Sequence, residues 1–334
     1  MMSLEGQVLY LSIPAGAFEC VQGAGKVIHM TDTQSIYNLM YDHAEFYRPP
    51  REEHSAFLEV AYGCSWGACA FCDFIKDEYK VYSLKDVARK AQLLSQVIED
   101  KTRVHILGCN PLGLPQDYLL DVFMLARRYL PQVTEYSMYA RSDDVLGKSE
   151  TELAALKRAG LTDVHVGIES GADEVLAMHN KGETAQQMIA ACLALEKAGI
   201  ACHISLIPGL GGRSRSRLHA EKTAELLSQI HPASVWCIGL AIWEGTPLAD
   251  MIRSGAFDPM DYREMLEELR YMVSLTEMEG PDCTFTDSSV LGLYTVEGKL
   301  PSGKADLLHV FDQLLAAYPV APGEIRYDGP SVIG

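Results

Sequence analysis

The 334-residue sequence contains no uninterrupted run of 18 apolar residues, so it predicts no membrane-spanning helix. The residues from Met1 to Gly16 lack the basic start and apolar run of a secretory signal. Basic residues are scarce, 28 against 45 acidic ones, and the net charge of −17 argues against a nucleic-acid partner. No low-complexity tract is present, and 48% apolar with 22% charged residues excludes a disordered chain, a collagen-like repeat and a coiled coil.

Nine cysteines are present, which is an odd number. They are Cys20, Cys64, Cys69, Cys72, Cys109, Cys192, Cys202, Cys237 and Cys283. Without a secretory signal we expect a reducing cytoplasm, where clustered thiols are metal ligands or catalytic groups and not disulfides. Only the three at 64, 69 and 72 are clustered.

From about residue 56 the sequence alternates between short apolar runs and amphipathic helical stretches. One such stretch has Thr184 as its expected N-cap and Gly199 just after its end, and another is expected from about Arg217 to Ile230. The apolar runs are 57–62, 104–107, 135–139, 164–168, 202–207 and 235–242. Six strand-then-helix units predict a parallel α/β fold, a partial (β/α)6 TIM-type barrel whose chemistry lies at the carboxyl ends of its strands. We expect residues 1–55 to form an extension, 56–245 the barrel core, and 246–334 a mainly helical region that caps the substrate. Within the extension, the segment 12–16 and a break at Pro49 and Pro50 interrupt any regular pattern.

The most informative motif is the segment from Gly63 to Cys72, which directly follows the first predicted strand. Thiolates of Cys64, Cys69 and Cys72 can hold three irons of a cubane 4Fe-4S cluster and leave the fourth iron open to substrate or cofactor. The alternative is structural zinc, which needs a fourth ligand such as Cys109 or a distant histidine.

With this loop the sequence resembles the radical S-adenosylmethionine (radical SAM) superfamily, although four residues separate Cys64 from Cys69 where three are usual. The segment from His165 to Gly171, with Lys181 and Gly182 downstream, resembles the branch that contains Elongator protein 3, the methylthiotransferases and oxygen-independent coproporphyrinogen oxidase. The resemblance implies a 4Fe-4S cluster, S-adenosylmethionine (SAM) and oxygen sensitivity. It also implies a one-electron donor such as flavodoxin or ferredoxin.

The resemblance also implies positions for SAM contacts. Phe71 would lie near the adenine, with a hydrophobic plug beneath the loop as the alternative. Gly108 and Asn110 follow the second strand, where the family holds the methionyl amine. Glu169 would accept hydrogen bonds from the ribose, and Lys181 would hold the methionyl carboxylate.

Four further residues complete the expected cofactor site. Arg141 shares a strand face with Ser137 and Tyr139 and points either toward a carboxylate or into a surface salt bridge. Ser205 stands where the family often has a ribose-binding acid. The backbone at Trp236 and Ile238 would bond adenine.

The resemblance implies an enzyme that removes a hydrogen atom from a small substrate, an anionic one if Arg213, Arg215 and Arg217 bind it. Cys283, within the segment 282–289 expected to close the barrel mouth, is a speculative catalytic hydrogen donor or else a buried apolar thiol. The sequence has no second cysteine cluster, so we expect no auxiliary iron–sulfur centre. Two alternatives remain: a porphyrin- or haem-directed protein of the coproporphyrinogen oxidase-like branch, and a non-catalytic metal or iron–sulfur protein.

Overall fold

A computed structural model describes residues 18–22, 26–30, 40–41, 49–98, 101–289 and 295–317. The strands are β1 Phe18–Gln22, β2 Lys26–Met30, β3 Ala56–Glu59, β4 Ala61–Tyr62, β5 Lys80–Val81, β6 Arg103–Leu107, β7 Glu135–Ala140, β8 Leu161–Glu169, β9 Ala201–Leu206, β10 Ser234–Ile238, β11 Cys283–Ser288 and β12 Val296–Leu300. The α-helices are α1 Leu84–Leu94, α2 Gln116–Tyr129, α3 Ser142–Leu146, α4 Glu150–Ala159, α5 Asp173–Met178, α6 Ala185–Lys197, α7 Gly212–Leu227, α8 Pro247–Arg253, α9 Tyr262–Leu275 and α10 Lys304–Ala317.

The main sheet has eight strands in the order β12-β11-β10-β9-β8-β7-β6-β3. Neighbours from β3 to β11 are parallel, and β12 is antiparallel at one edge. Because β3 and β12 are separate edges, the sheet is an open, partial barrel. This arrangement confirms the predicted parallel α/β fold with six strands from the predicted runs.

Local sequence signals explain several helix ends. Thr184 begins α6 as predicted, because its hydroxyl accepts a hydrogen bond from the Gln187 amide while the Gln187 side chain reaches back. Gly199 follows the same helix with φ +70°, in the left-handed region that favours glycine. The predicted start of α7 at Arg217 is wrong, since the helix begins at Gly212. Its first turn contains a glycine and three polar residues, a composition that is typical of a loop.

The expectation of a mainly helical carboxyl-terminal region is also wrong in one part. The segment 282–289 does not close the barrel mouth; most of it is β11, a seventh parallel strand paired with β10. The side chains of Cys283, Phe285 and Asp287 are buried, while those of the intervening threonines are half-buried. This period of two is typical of a strand, but its polar residues make the run look like a loop.

The amino-terminal region contains a β1–β2 hairpin and a 3-10 turn at Pro50–Glu52. The turn brings Glu52 beneath the sheet, where its side chain is buried. The predicted break at Pro49 and Pro50 therefore begins this turn, whereas the segment 12–16 lies outside the described residues.

The two faces of the sheet differ in chemistry. Apolar side chains pack against the helices in one large core, which includes Phe57, Ile106, Met138 and Val164 together with Leu119 and Val122 of α2. The inner face carries polar groups that contact one another across the strands, namely His105, Ser137, Tyr139, His165, His203, Glu169 and Ser205. No helix within the described ranges is long and apolar enough to cross a membrane.

Candidate active site

The cysteine loop lies at the carboxyl end of the first strands and is bonded to three different parts of the barrel. The Ala70 amide donates to the His179 carbonyl over 2.8 Å, and the Ala70 carbonyl accepts from the Leu248 amide at 3.0 Å. The Asn110 side chain bonds Ser65 through both its oxygen and its nitrogen, at 3.3 and 2.6 Å. The loop path is therefore set by the ends of β6, β8 and β10, and not only by its own sequence.

Trp66 fixes the other side of this loop. Its indole nitrogen donates to the Asn180 carbonyl over 2.9 Å, and the Arg141 guanidinium lies 4.8 Å from its ring centroid. The ring covers Gly182, where a Cβ atom would come within 2.3 Å of a ring carbon. A glycine is therefore required at this position both by contact and by its φ of +76°.

The three loop thiols are half-buried. In the described part of the chain they do not form a group whose sulfur atoms all lie within 4.8 Å of one another, with or without Cys109. A tetrahedral zinc with Zn–S bonds of about 2.3 Å would hold its sulfurs about 3.8 Å apart. In a cubane each thiolate binds a different iron, so a wider triangle is expected. The loop thus fits the cluster better than zinc.

Burial raises the pKa of two of the loop thiols, those of Cys69 and Cys72, and so disfavours their thiolate forms. For Cys72 burial raises the pKa to about 12, and neighbouring thiolates add to the effect. For Cys69 burial also raises the pKa, but Lys181 and Arg141 lower it. These two cations therefore stabilise negative charge on the loop, as a cluster with thiolate ligands requires.

Glu169 is the last residue of β8, and its backbone is in the left-handed region with φ +67°. Its carboxylate accepts from the Ser205 hydroxyl at 3.2 Å to each oxygen. It also lies over Gly167, where a Cβ atom would come within 2.4 Å of Oε1. Burial raises the pKa of Glu169 to about 7, while Lys181 and the Ser205 hydroxyl lower it. The structure thus brings Glu169 and the Ser205 hydroxyl, both candidates from the sequence, together at the ends of adjacent strands.

Lys181 and Arg141 form a buried basic pair beside Glu169. The Lys181 ammonium lies 3.2 Å from Glu183 Oε2, and Arg141 donates to the Lys181 carbonyl over 3.0 Å. Arg141 also makes a two-point ion pair with Asp143, at 2.9 and 3.1 Å. The salt bridge considered for Arg141 is thus present and reaches the surface at Asp143, whose side chain is 46% exposed, while the arginine itself is buried.

Other predicted SAM contacts already have partners. Asn110 also donates to Asp144 at 3.1 Å, so its amide holds the cysteine loop and is not free for a methionyl amine. Gly108 allows a close approach, since a Cβ atom there would lie 3.1 Å from Pro111 and 3.3 Å from Ala61. Phe71 packs edge-on against His179 at 5.7 Å and joins a small apolar cluster, which matches the alternative of a hydrophobic plug.

The two predicted adenine contacts, Trp236 and Ile238, differ in whether their backbone is already paired on both sides. Trp236 pairs with both neighbouring strands, and its indole nitrogen donates to the Ser288 hydroxyl over 2.8 Å. Pairing with β9 stops at Cys237, so at Ile238 the strand pairs only with β11. Of the two, Ile238 is the position whose backbone the sheet leaves open on one side.

Cys283 does not lie where the suggested catalytic hydrogen donor would have to be. It is fully buried at the amino-terminal end of β11, whereas the cysteine loop lies at the carboxyl end of the sheet. It is therefore too deeply placed, and at the wrong end, to donate hydrogen to a substrate radical; the alternative of a buried apolar thiol describes it.

The arginines of α7 do not form the expected anion site. Arg213 is paired with Asp258 and Glu264, and Arg217 with Glu221. These exposed pairs neutralise two of the three arginines, whereas among the described residues Arg215 bonds only the Ser214 hydroxyl, at 3.4 Å.

Sequence reasoning missed the residues that hold the site together. Asn180, with φ +51°, donates to the Ala68 carbonyl, and Asp144 accepts from both Asn110 and the Arg141 amide. Burial raises the pKa of Asp144 to about 6. Their only sequence signal is proximity to predicted residues, because each acts on a segment far away along the chain.

Residues 58–226, half of the chain, match the family model of the radical SAM superfamily. With the cysteine loop at the carboxyl end of a partial barrel, this match shows that the chain belongs to the radical SAM superfamily. Members of this superfamily are enzymes that use a 4Fe-4S cluster and SAM.

Three known proteins are similar to parts of this chain. A tRNA uridine(34) acetyltransferase of Methanocaldococcus infernus is 27% identical over 133 residues, which are 38% of this chain and 24% of that protein. The chain thus spans about a quarter of this curated relative's length. The radical SAM methyltransferase TsrM of Kitasatospora setae has a similar fold, with a TM-score of 0.50, 16% identity, and coverage of 60% of this chain and 39% of TsrM. Elp3 of Methanocaldococcus infernus aligns with a TM-score of 0.47 and 19% identity over 67% of this chain and 54% of Elp3. Membership of the radical SAM superfamily confirms the sequence prediction.

Proposed function

We propose that this enzyme binds a 4Fe-4S cluster through Cys64, Cys69 and Cys72 and removes a hydrogen atom from a small substrate. The observation that carries the proposal is the loop with three half-buried thiols, held beside an acid and two cations at the carboxyl end of the barrel. When bound, the cluster and SAM supply a one-electron cleavage that yields a 5′-deoxyadenosyl radical. An external one-electron donor is required for this reaction.

The residues beside the loop match the polar groups of SAM. Glu169 and Ser205 are mutually bonded acceptor and hydroxyl groups suited to a ribose diol. Lys181 is a buried cation suited to the methionyl carboxylate, and it would exchange part of its pairing with Glu183 for the cofactor. The backbone at Ile238 remains the candidate adenine contact. Trp66 and Asn110 hold the loop in position and do not contact the cofactor in this proposal.

The proposal favours a small molecule over tRNA as substrate. The acetyltransferase match covers only 38% of this chain and 24% of the relative, so it does not by itself carry that protein's named activity over to this chain. The net charge of −17 is unfavourable for binding a phosphate backbone. Two of the three exposed arginines of α7, Arg213 and Arg217, are also already paired with acids.

The test is anaerobic reconstitution with iron and sulfide, followed by reaction with SAM and a reductant. We expect about four irons per chain and formation of 5′-deoxyadenosine, and we expect Cys69→Ala to abolish both. The matched control is Cys192→Ala, because Cys192 is buried with its sulfur 3.6 Å from that of Cys202, away from the loop. It should keep the iron content and the product.

Several outcomes would contradict the proposal. Zinc in the reconstituted protein, without SAM cleavage, would support the structural-metal alternative. Loss of iron in Cys192→Ala, with retention in Cys69→Ala, would show that the ligands are misassigned. Stimulation of 5′-deoxyadenosine formation by tRNA, and not by small-molecule extracts, would exclude the small-substrate part of the proposal.

A further inference from the structure

A second group of ligand-type side chains lies inside the barrel, at the end opposite the cysteine loop. It consists of Glu52 on the Pro50–Glu52 turn, His105 on β6 and His165 on β8, and we call it the floor site. One ligand atom from each of these residues lies within 4.8 Å of the other two, and all three residues are buried. Glu169 comes four positions after His165 along β8, which places the floor site about 13 Å from the cofactor region.

One imidazole nitrogen of the floor site has no protein partner. His105 Nδ1 bonds the Ser137 hydroxyl at 2.9 Å, whereas His105 Nε2 is buried and has no hydrogen-bond partner among the described residues. A neutral imidazole carries a lone pair on one of its two nitrogens. With the proton on Nδ1 and donated to Ser137, that lone pair is on Nε2 and lies near Glu52 and His165. An unpaired buried acceptor is costly, which indicates a missing partner.

The other two members are already arranged as ligands. His165 Nε2 lies 2.9 Å from Glu52 Oε1, a separation close to that of two ligands on one ion. Arg103 donates to both carboxylate oxygens, at 2.7 and 2.9 Å, and fixes the orientation of Glu52. Replacing the hydrogen bond from His165 by a metal ion leaves both bonds to Arg103 in place. The neutral His165 ring needs only to carry its proton on Nδ1 instead of Nε2.

The charge around the floor site suits a cation. The carboxylates of Glu52 and Asp163 both pair with the single guanidinium of Arg103, whose side chain is 16% exposed. Two negative groups therefore share one buried positive group. Arg51 also contacts Asp163, but its side chain is 59% exposed, so water screens its charge.

We propose that Glu52, His105 and His165 bind a divalent first-row transition ion, at a site distinct from the iron–sulfur cluster. Two neutral imidazoles and one carboxylate, without a thiolate, are a donor set used for Zn²⁺ and Fe²⁺. Ser137 and Arg103 supply the outer hydrogen bonds that orient metal ligands in such sites. An ion here cross-links the amino-terminal segment at Pro50–Glu52 to two central strands.

The test uses Co²⁺ as the probe, because it can be counted separately from cluster iron. The full-length protein is reconstituted with its iron–sulfur cluster, dialysed against Co²⁺ under anaerobic conditions, and analysed for both elements. We expect one cobalt per chain in the unmodified protein and a loss of affinity of more than about 10-fold in His105→Gln and in Glu52→Gln, since removing even an outer-sphere partner has an effect of that order. Iron content should stay unchanged in both variants.

His203→Gln is the matched control. His203 stacks on His165 at 4.8 Å and bonds Asp163 at 2.8 Å, so it belongs to the same buried network without being a proposed ligand. It should retain cobalt. Absence of stoichiometric cobalt from the unmodified protein would overturn the proposal and leave an ordered water as the partner of His105. Retention of cobalt in His105→Gln, or equal loss in His203→Gln, would overturn it as well.

Discussion

Replacing Gly182 by alanine is expected to disturb the cysteine loop, although residue 182 lies more than 100 residues away from it in sequence. The new Cβ atom would meet three ring carbons of Trp66, at 2.3, 2.5 and 2.9 Å. Trp66 must therefore move, and its bond to Asn180 and its contact with Arg141 are lost with it. Because Trp66 lies between Cys64 and Cys69, the movement reaches the proposed cluster ligands directly.

The magnitude follows from these contacts. A left-handed conformation costs an alanine about 1–2 kcal/mol. Loss of the indole hydrogen bond adds about 0.5–1.5 kcal/mol, and loss of the cation–π contact adds about 0.5–1 kcal/mol. The matched control is Gly199→Ala, since Gly199 has φ +70° but the nearest heavy atom to its new Cβ is 3.9 Å away. The first cost applies to both variants, so Gly182→Ala should be less stable than Gly199→Ala by about 1–2.5 kcal/mol.

The assay is urea unfolding followed by circular dichroism, together with iron content after identical anaerobic reconstitution. We expect Gly199→Ala to keep its iron and Gly182→Ala to lose a substantial part of it. If both variants showed the same free energy of unfolding and the same iron content, Trp66 would not hold the loop in the way described.

Three further predictions concern single side chains. Glu169→Gln removes a carboxyl whose pKa is raised in the folded state from 4.5 to about 7. Wild-type stability should therefore fall relative to the variant by about 1–3 kcal/mol as pH rises between these values. Urea unfolding at pH 5 and pH 8 measures the difference, and wild-type stability that rose relative to the variant over this interval would contradict the assignment. Asn110→Ala removes the bonds to Ser65 and should lower iron content and destabilise the fold by about 1–3 kcal/mol, whereas unchanged values would show that the loop does not depend on it. Asp312→Asn breaks only an exposed pair with Arg270, so the same unfolding assay should show no measurable change, and a clear loss of stability would show that this exposed pair matters as much as the buried ones.

The strand pattern could be predicted because each inner strand of the barrel is buried on its helix-facing side and contains an apolar run. The strand β11 lacks that signal, since Thr284, Thr286 and Ser288 alternate with its buried residues. Its position follows from pairing with β10, and pairing between distant segments leaves no local trace in one sequence. The cap at Thr184 could be predicted because it is local.

The cysteine spacing predicts the kind of metal group but not how the loop is held. The place of Asn110 after β6 predicts a cofactor contact, yet its amide bonds Ser65, which lies 45 residues earlier. Cys283 is a candidate from its residue type alone, and the strand direction places it at the opposite end of the sheet. The floor site could not be predicted either, because Glu52 and His165 are far apart in the sequence and come into contact only in the folded barrel.

The central claim is that the three cysteines hold a cluster with one iron open to SAM. Low-temperature electron paramagnetic resonance of the anaerobically reconstituted, reduced protein tests it most directly, with spectra recorded before and after addition of SAM. The account predicts a reduced-cluster signal whose g values change when SAM is added, because SAM binds the open iron. A cluster signal that SAM leaves unchanged would contradict the account.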